Sequence, residues 1–235
     1  MKISTGSEEL DEFLEGGYEN DIITTLYGPA GSGKSNLCMM AAVEQAKKGR
    51  KVIFIDTEGG FSVDRLKQLG PEECFKHVLL LKATNFSEQQ EVFNRLLDEI
   101  RKEIGLIIVD SVAMLYRLEI GNARGEGNES KVNAINRSLA RQLRILSEIA
   151  RKKNIPIIVT NQVYSDFVRN PMTDEKKVHM VGGDLLKYWS KCIIELKRDK
   201  DRRKAVLRKH RSLPEKELSF CITNKGISKA GFRLF

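Results

Sequence analysis

The chain has 235 residues, 41% of them hydrophobic and 31% charged, enough for one substantial globular core. No apolar run approaches the roughly 18 residues a membrane helix needs. The acidic start, MKISTGSEELDEF, lacks the apolar centre of a signal peptide, so a cytoplasmic protein is expected.

The net charge of +8 sits at one end. Residues 1–194 hold 27 Lys and Arg against 27 Asp and Glu, whereas residues 195–235 hold 13 against 5. Such a tail fits an acidic partner, nucleic acid first, and equally a solvated hairpin with no partner. Cys38, Cys74, Cys192 and Cys221 show no metal-ligand spacing with one another or with His77, His179 and His210, so free, mostly buried thiols and no zinc are expected.

Along the chain, Ser7 is placed to cap a short helix whose first turn carries Glu8 and Glu9 and which ends at Gly16 and Gly17. A strand over about 21–27 leads into a glycine loop, and a helix over 33–48 is closed by Gly49. KVIFID, 51–56, reads as a buried strand ending in a carboxylate. A helix near 62–69 and a strand HVLLLKA follow. Ser87 and Gln90 form a capping-box pattern opening a helix that runs to about Glu103. GLIIVD is a second buried strand ending in an acid. EIGNARGEGNES, rich in glycine and polar residues, is expected to be a mobile loop. A helix over 129–153 carries Val132, Ile135, Leu139, Leu143, Leu146 and Ile149 on one stripe. IPIIVTNQ gives another buried strand, 164–181 a second loop, and KCIIELKRD, KAVLRKH and ELSFCIT three terminal strands. The whole reads as one α/β domain over 1–235, with a mainly parallel sheet flanked by helices and C-terminal antiparallel edge strands.

Gly28, Pro29, Ala30, Gly31, Ser32, Gly33, Lys34 and Ser35 satisfy G-x-x-x-x-G-K-S between a strand and a helix. Backbone amides of such a loop turn towards phosphate oxygens, and the helix N-terminus adds positive potential. Lys34 is placed for the β- and γ-phosphates of ATP and the Ser35 hydroxyl for Mg²⁺. Asp110, after Leu106 to Val109, is the candidate second anchor for the metal. Glu58, in IDTEGGF, is the candidate for activating water, and Gln162, ending IIVTNQ, for sensing the γ-phosphate. Polar groups at the carboxyl ends of successive parallel strands converge on one edge, where such sheets bind ligands.

GPAGSGKS, IDTEGGF, LIIVDS followed by LYR, and VTNQV together resemble the RecA/RadA recombinase family. STGSEELDEFLEGG and SLPEKELSFCITNKGI are similar to the opening and the ending of its ATPase core, so the likeness runs from about Ile3 to Ile227, and it is strongest to the family's short archaeal members. The resemblance implies a RecA-like P-loop ATPase core that binds ATP with Mg²⁺ through Gly28–Ser35 and Asp110. It implies Glu58 as catalytic glutamate and Gln162 as the link to two DNA loops, here about 117–128 and 163–181. Arg117 and Arg124 in the first, and Phe167, Arg169, Lys176 and Lys177 in the second, have chemistry suited to phosphates and bases. Arg202, Arg203 and Lys204 of the tail are further DNA-binding candidates. Along the long helix, Arg137, Arg141, Arg144 and Arg151 read better as a solvated face than as a DNA track.

The departures from the family pattern are the N-terminal helical DNA-binding domain and the oligomerisation linker, which have no counterpart here, and Tyr188 where many members place a histidine. What the resemblance implies is therefore an accessory protein of homologous recombination and DNA repair with weak ATPase activity. Its expected partners are single-stranded or branched DNA, a RadA recombinase and a Holliday-junction nuclease. An oligomer is compatible with this reading, but not a long filament. The competing readings are a DNA-dependent, filament-forming strand-exchange recombinase and a P-loop kinase for a small molecule. The kinase reading leaves the TEG and TNQ elements unused.

Overall fold

A strand covered on both faces can be apolar at every position, and the runs Val52–Ile55 and Leu106–Val109 of this chain are. The computed structural model describes residues 1–100, 103–165, 178–199 and 202–230. Its first half contains β1 (Lys2–Ile3), α1 (Glu8–Phe13), β2 (Tyr18–Glu19), β3 (Ile23–Gly28), α2 (Lys34–Lys47) and β4 (Lys51–Asp56). Then come α3 (Val63–Leu69), a 3-10 turn (Glu72–His77), β5 (Val78–Lys82), α4 (Phe86–Glu99) and β6 (Ile104–Asp110). The second half contains α5 (Met114–Gly125), α6 (Glu129–Lys153), β7 (Ile157–Ser165), β8 (Val178–Met180) and α7 (Gly183–Trp189). Four strands close it: β9 (Cys192–Asp199), β10 (Arg202–Lys209), β11 (Glu217–Thr223) and β12 (Gly226–Lys229).

β1 and β2 pair separately, and the main sheet runs β12-β11-β10-β9-β3-β7-β6-β4-β5, with β8 paired to β7. From β9 to β5 every neighbour is parallel; from β9 to β12 every neighbour is antiparallel. The strands distribute their side chains with period two. Ile53, Ile55, Ile107, Val109, Ile157 and Val159 pack on the α4–α7 side, while Val52, Phe54, Leu106, Ile108 and Ile158 pack beneath α1, α2, α3 and the tail strands. Burial of each such aliphatic or aromatic side chain stabilises by about 1.5–3 kcal/mol.

Three expectations change. First, 119–128 is largely not a loop. α5 extends to Gly125 because Leu115, Tyr116, Ile120 and Ala123 bury one face. That face packs in the same core as α6, and the Tyr116 hydroxyl donates to Asn136 Oδ1 at 2.7 Å. Gly121 and Gly125 face open space, where their missing side chains cost little packing. Second, the box opening α4 is Asn85 with Glu88, not Ser87 with Gln90. The Glu88 amide donates to Asn85 Oδ1 at 2.9 Å and the Glu88 carboxylate accepts from the Thr84 amide at 2.7 Å. That helix ends at Glu99.

The tail strands pair antiparallel with one another from β9 to β12, as expected, and β9 joins them to the parallel part through β3. Third, α7, β12 and the short β1, β2 and β8 are elements the sequence reading leaves out. Cys38, Cys74 and Cys192 are buried free thiols and Cys221 is half-buried, as expected.

Candidate nucleotide site and basic hairpin

Between β3 and α2 the chain turns through Gly31 and Gly33, whose φ of 72° and 104° few side chains tolerate. Space constrains the glycines as well, because the tail strands press on the outside of the loop. A Cβ on Gly28 would stand 2.2 Å from the Leu196 carbonyl oxygen, one on Gly31 2.9 Å from an Arg198 guanidinium nitrogen, and one on Gly33 3.1 Å from Ile222 Cδ1. The loop is thus held between the sheet and the C-terminal strands, and α2 presents its first turn to whatever the loop encloses. Ser32 is fully buried, and its hydroxyl has no hydrogen-bond partner among the described residues.

Lys34, only 6% exposed, donates from Nζ to the carbonyls of Gly28 (2.9 Å) and Pro29 (3.0 Å). Those bonds use two of its three protons. Burial lowers the pKa of its ammonium, and the carboxylates of Glu58 and Asp110 offset part of that effect.

Asp110 is 1% exposed. Its Oδ1 accepts from the Thr160 hydroxyl at 2.5 Å, while Oδ2 has no hydrogen-bond partner among the described residues. A Cβ on Gly60 would lie 3.2 Å from the Ser35 hydroxyl oxygen and 3.5 Å from Asp110 Oδ2, so the two oxygens border one small space that only glycine leaves open. Burial is the largest influence on Asp110 and raises its pKa; the hydroxyls of Ser35 and Thr160 pull it down, Asp56 raises it and Lys34 lowers it. A buried carboxylate oxygen without a partner, beside a hydroxyl, is a hard oxygen donor set that fits Mg²⁺, a cation commonly held by one or two carboxylates plus phosphate oxygens.

Glu58 is presented by a loop that Asp56 organises. Asp56 Oδ1 accepts from the amides of Glu58 (3.2 Å), Gly59 (2.9 Å) and Gly60 (3.2 Å), and Oδ2 from Phe61 (3.2 Å). Gln162 does not end its strand, because β7 runs on to Ser165 to pair with β8; from within it Gln162 Nε2 donates to Glu58 Oε2 at 2.7 Å, leaving Glu58 Oε1 buried and without a hydrogen bond among the described residues. The fold therefore brings Gly28–Ser35, Glu58, Asp110 and Gln162 together at the carboxyl edge of β3, β4, β6 and β7.

The DNA candidates are dispersed. Arg117 and Arg124 are exposed on α5, a helix and not the loop expected there. Phe167, Arg169, Lys176 and Lys177 lie outside the described residues. Arg202, Arg203 and Lys204 divide between two faces of the sheet. Arg203 stands opposite Arg198 on β9 and Phe220 on β11, on the face that packs against the nucleotide loop, with its Cδ 3.8 Å from a Cβ on Gly33. Arg202 and Lys204 point the other way, outwards.

The basic tail is also less open than its composition implies. Lys204 pairs with Glu217 (2.8 Å), Arg208 with Glu195 (2.6 Å) and with Glu215, and Arg211 with Glu19 (2.8 Å) and Asp21 (3.0 Å). Arg137, Arg141, Arg144 and Arg151 are exposed along α6, in keeping with a solvated face. Tyr188, 71% exposed on α7, stacks edge-on with Trp189 at 5.3 Å.

Sequence reasoning gave no site role to Asp56, Thr160, Arg65 and Arg198. Thr160, and the inward face of Arg203, were within reach. Thr160 is two residues before Gln162 and so shares its face of β7, and Arg203 is in phase with the apolar Ala205 and Leu207 rather than with Lys204. Arg65 gave no local signal. Its guanidinium donates to the carbonyls of Thr223 (2.7 Å), Asn224 (3.0 Å) and Gly226 (3.3 Å) and to Asn36 Oδ1 (2.8 Å), contacts far apart in sequence.

Comparison with known proteins places this arrangement. The Rad51 family profile matches residues 1–230. A protein from Methanobrevibacter smithii called DNA repair and recombination protein RadB is 39% identical over 237 residues, covering 96% of this chain and 95% of the relative. Proteins of the same name from Methanococcoides burtonii and Methanocaldococcus jannaschii are 37% and 36% identical, covering 96% and 93% of this chain and 97% and 98% of the relatives. A solved structure titled as the RadB recombinase superposes with a TM-score of 0.77 at 36% identity, covering 97% of this chain and all of that one. With the phosphate loop, the two strand-end carboxyl groups and the glutamine in the positions the fold provides, the chain belongs to the Rad51 family of RecA-like proteins.

Proposed function

We propose that this chain is an ATP- and DNA-binding accessory protein of homologous recombination and DNA repair that hydrolyses ATP slowly and does not perform strand exchange by itself. The name shared by relatives matched over nearly their whole length supports the recombination and repair role. The observation that carries the nucleotide part is the convergence of Lys34, Ser35, Asp110, Glu58 and Gln162 on one edge of the parallel sheet.

Bound magnesium ATP would supply a transferable γ-phosphoryl group and a metal that neutralises its charge. Gly28–Ser35 would cradle the phosphates with backbone amides, Lys34 would turn from the loop carbonyls to the β- and γ-phosphates, and Ser35 with Asp110 would hold the metal. Glu58 would orient a water molecule and accept its proton. Gln162, bonded to Glu58, would carry the difference between bound and cleaved phosphate along β7 towards residues 163–181. Arg117, Arg124, Phe167, Arg169, Lys176, Lys177, Arg202 and Lys204 remain DNA candidates, with Arg203 moved to the nucleotide side. A RadA recombinase or a Holliday-junction nuclease is the proposed protein partner.

Calorimetry with magnesium ATP on the wild-type and on Lys34→Ala tests the site. Association is expected in the first and a loss of about tenfold to a hundredfold in affinity in the second, the value of hydrogen bonds to a charged group. Equal affinities would overturn the assignment. ATPase rates with and without single-stranded DNA, together with sizing, test the accessory role. Strong stimulation accompanied by filaments would favour a strand-exchange recombinase instead.

A further inference from the structure

At the opposite, amino-terminal edge of the sheet is a second cavity, of about 390 Å³, that the nucleotide chemistry does not use. It lies where α2 and α6 end and β3, β6 and β7 begin. Gln45 and Asn20 line it, 2% and 6% exposed, and each holds an unsatisfied polar atom. Gln45 Nε2 lacks an acceptor and Asn20 Oδ1 lacks a donor among the described residues. Unpaired buried amide atoms are uncommon and costly, so their presence beside a cavity needs a reason.

The same cavity is lined by Lys2, Lys48, Arg50 and Lys153 and, among the described residues, by no acidic side chain. Arg50 is seated on Gly105, where a Cβ would come within 2.7 Å of its Cδ, so only glycine lets the guanidinium lie there.

Lysines at the ends of α2 and α6 have an ordinary explanation in the helix dipole. That accounts for Lys48, which also pairs with Glu44 at 2.8 Å, and for Lys153. It does not account for the unpaired amides or the seat on Gly105. The terminal carbonyls that would repel an anion are moreover already engaged: Gln45 O accepts from the amides of Lys48 and Arg50, and Asn154 O accepts from Asn20 Nδ2 at 2.8 Å.

We propose that this cavity is a binding site for a small organic phosphate of the sugar-phosphate class. Arg50 and Lys153 would take the phosphate, and Gln45 and Asn20 the hydroxyls, a group that can accept from one amide and donate to the other. The volume is within the range of small-molecule sites. The site is separate from the phosphate loop and independent of the function proposed above.

The test is a side-chain amide NMR titration of the whole chain with its nucleotide site first saturated by magnesium and a non-hydrolysable ATP analogue, so that phosphate binding at the loop does not contribute. Ribose 5-phosphate and inorganic phosphate serve as probes. The Gln45 Nε2 signal is expected to move saturably with ribose 5-phosphate, which binds more tightly than inorganic phosphate. Arg50→Gln, an exposed change, should weaken binding about tenfold, as should Gly105→Ala by displacing Arg50, with ATP affinity unchanged in the first. A signal that neither probe moves, or an Arg50→Gln titration that overlays the wild type, overturns the site. Ribose 5-phosphate binding no more tightly than inorganic phosphate overturns the sugar-phosphate assignment.

Discussion

Gln162 within β7 donates a 2.7 Å hydrogen bond to Glu58, which stands 104 residues earlier on the loop after β4. The bond occupies Glu58 Oε2 and leaves Oε1 buried without a partner, so one carboxylate oxygen is held and the other is available. Replacing Glu58 by Gln keeps an acceptor for Gln162 and removes only the capacity to take a proton. Glu58→Gln is therefore expected to slow ATP hydrolysis by about a hundredfold or more with ATP affinity nearly unchanged. Gln162→Ala should instead leave binding intact while abolishing any dependence of DNA affinity on the bound nucleotide. Single-turnover hydrolysis and DNA binding with ATP or ADP read the two effects separately, and unaltered hydrolysis in Glu58→Gln would remove Glu58 from the chemistry.

Asp110 gives a dependence on pH. Burial raises its pKa above the usual carboxylate value, so between that value and the raised native one the folded state holds more protons than the unfolded state. The contribution of this group to stability is present at low pH and is lost as pH rises through the native pKa. At neutral pH the buried carboxylate is then a liability that a bound cation relieves. Asp110→Asn is expected to melt at a higher temperature than the wild type at pH 7, with the gap closing on acidification. The same variant should lose the extra melting-temperature rise that magnesium adds to ATP. Thermal melts across pH, with and without magnesium ATP, check both, and a variant less stable at pH 7 would contradict the argument.

The division of the tail by face separates two effects that composition merges. Arg202 and Lys204 face outwards, and Lys204 is held by an exposed pair with Glu217, which costs little to break. Arg202→Ala with Lys204→Ala should weaken DNA binding and flatten the slope of log affinity against log salt by about 1.4–1.8, the effect of two lost phosphate contacts. ATP affinity should not change. Arg203→Ala, next to Gly33, should raise the dissociation constant for ATP instead. DNA binding by fluorescence anisotropy over a salt series, beside ATP calorimetry, distinguishes the two. Superimposable salt series for wild type and double variant would move the DNA surface away from this hairpin.

How legible was this in the sequence? The centre was. Runs such as KVIFID and GLIIVD admit little but a strand buried on both faces, and KVIFID occupies the span read for it. The long stripe of α6 fixed a helix at Glu129–Lys153 without help from tertiary contacts. The phosphate loop was legible because its chemistry demands glycine, lysine and serine at fixed spacing.

What failed was held by partners distant in the chain. α5 contains two glycines and a polar run, and it is a helix because Ile120 and Ala123 are buried in the core shared with α6. The splitting of Arg203 from its neighbours was encoded, in a period of two, beneath a run of charge that is alike on both faces.

Arg65 offers the last test, because it joins three parts of the molecule that meet around the nucleotide loop. From α3 it reaches the turn between β11 and β12 through three carbonyls, and Asn36, the residue after Ser35, through its amide oxygen. Burial lowers its guanidinium pKa, a cost the carbonyls repay with charge-assisted hydrogen bonds. Arg65→Met keeps the aliphatic stem and removes the fork. Because the site is partly exposed, the loss should be about 1.5–3 kcal/mol at most, seen as a lower urea midpoint. Arg65→Lys should recover only part, since one ammonium cannot span those acceptors. If the clamp joins the tail to the loop, amide exchange at 223–226 should quicken in Arg65→Met and ATP should restore less protection there than in the wild type. Exchange rates at that turn that match the wild type would show that the tail strands hold their place without it.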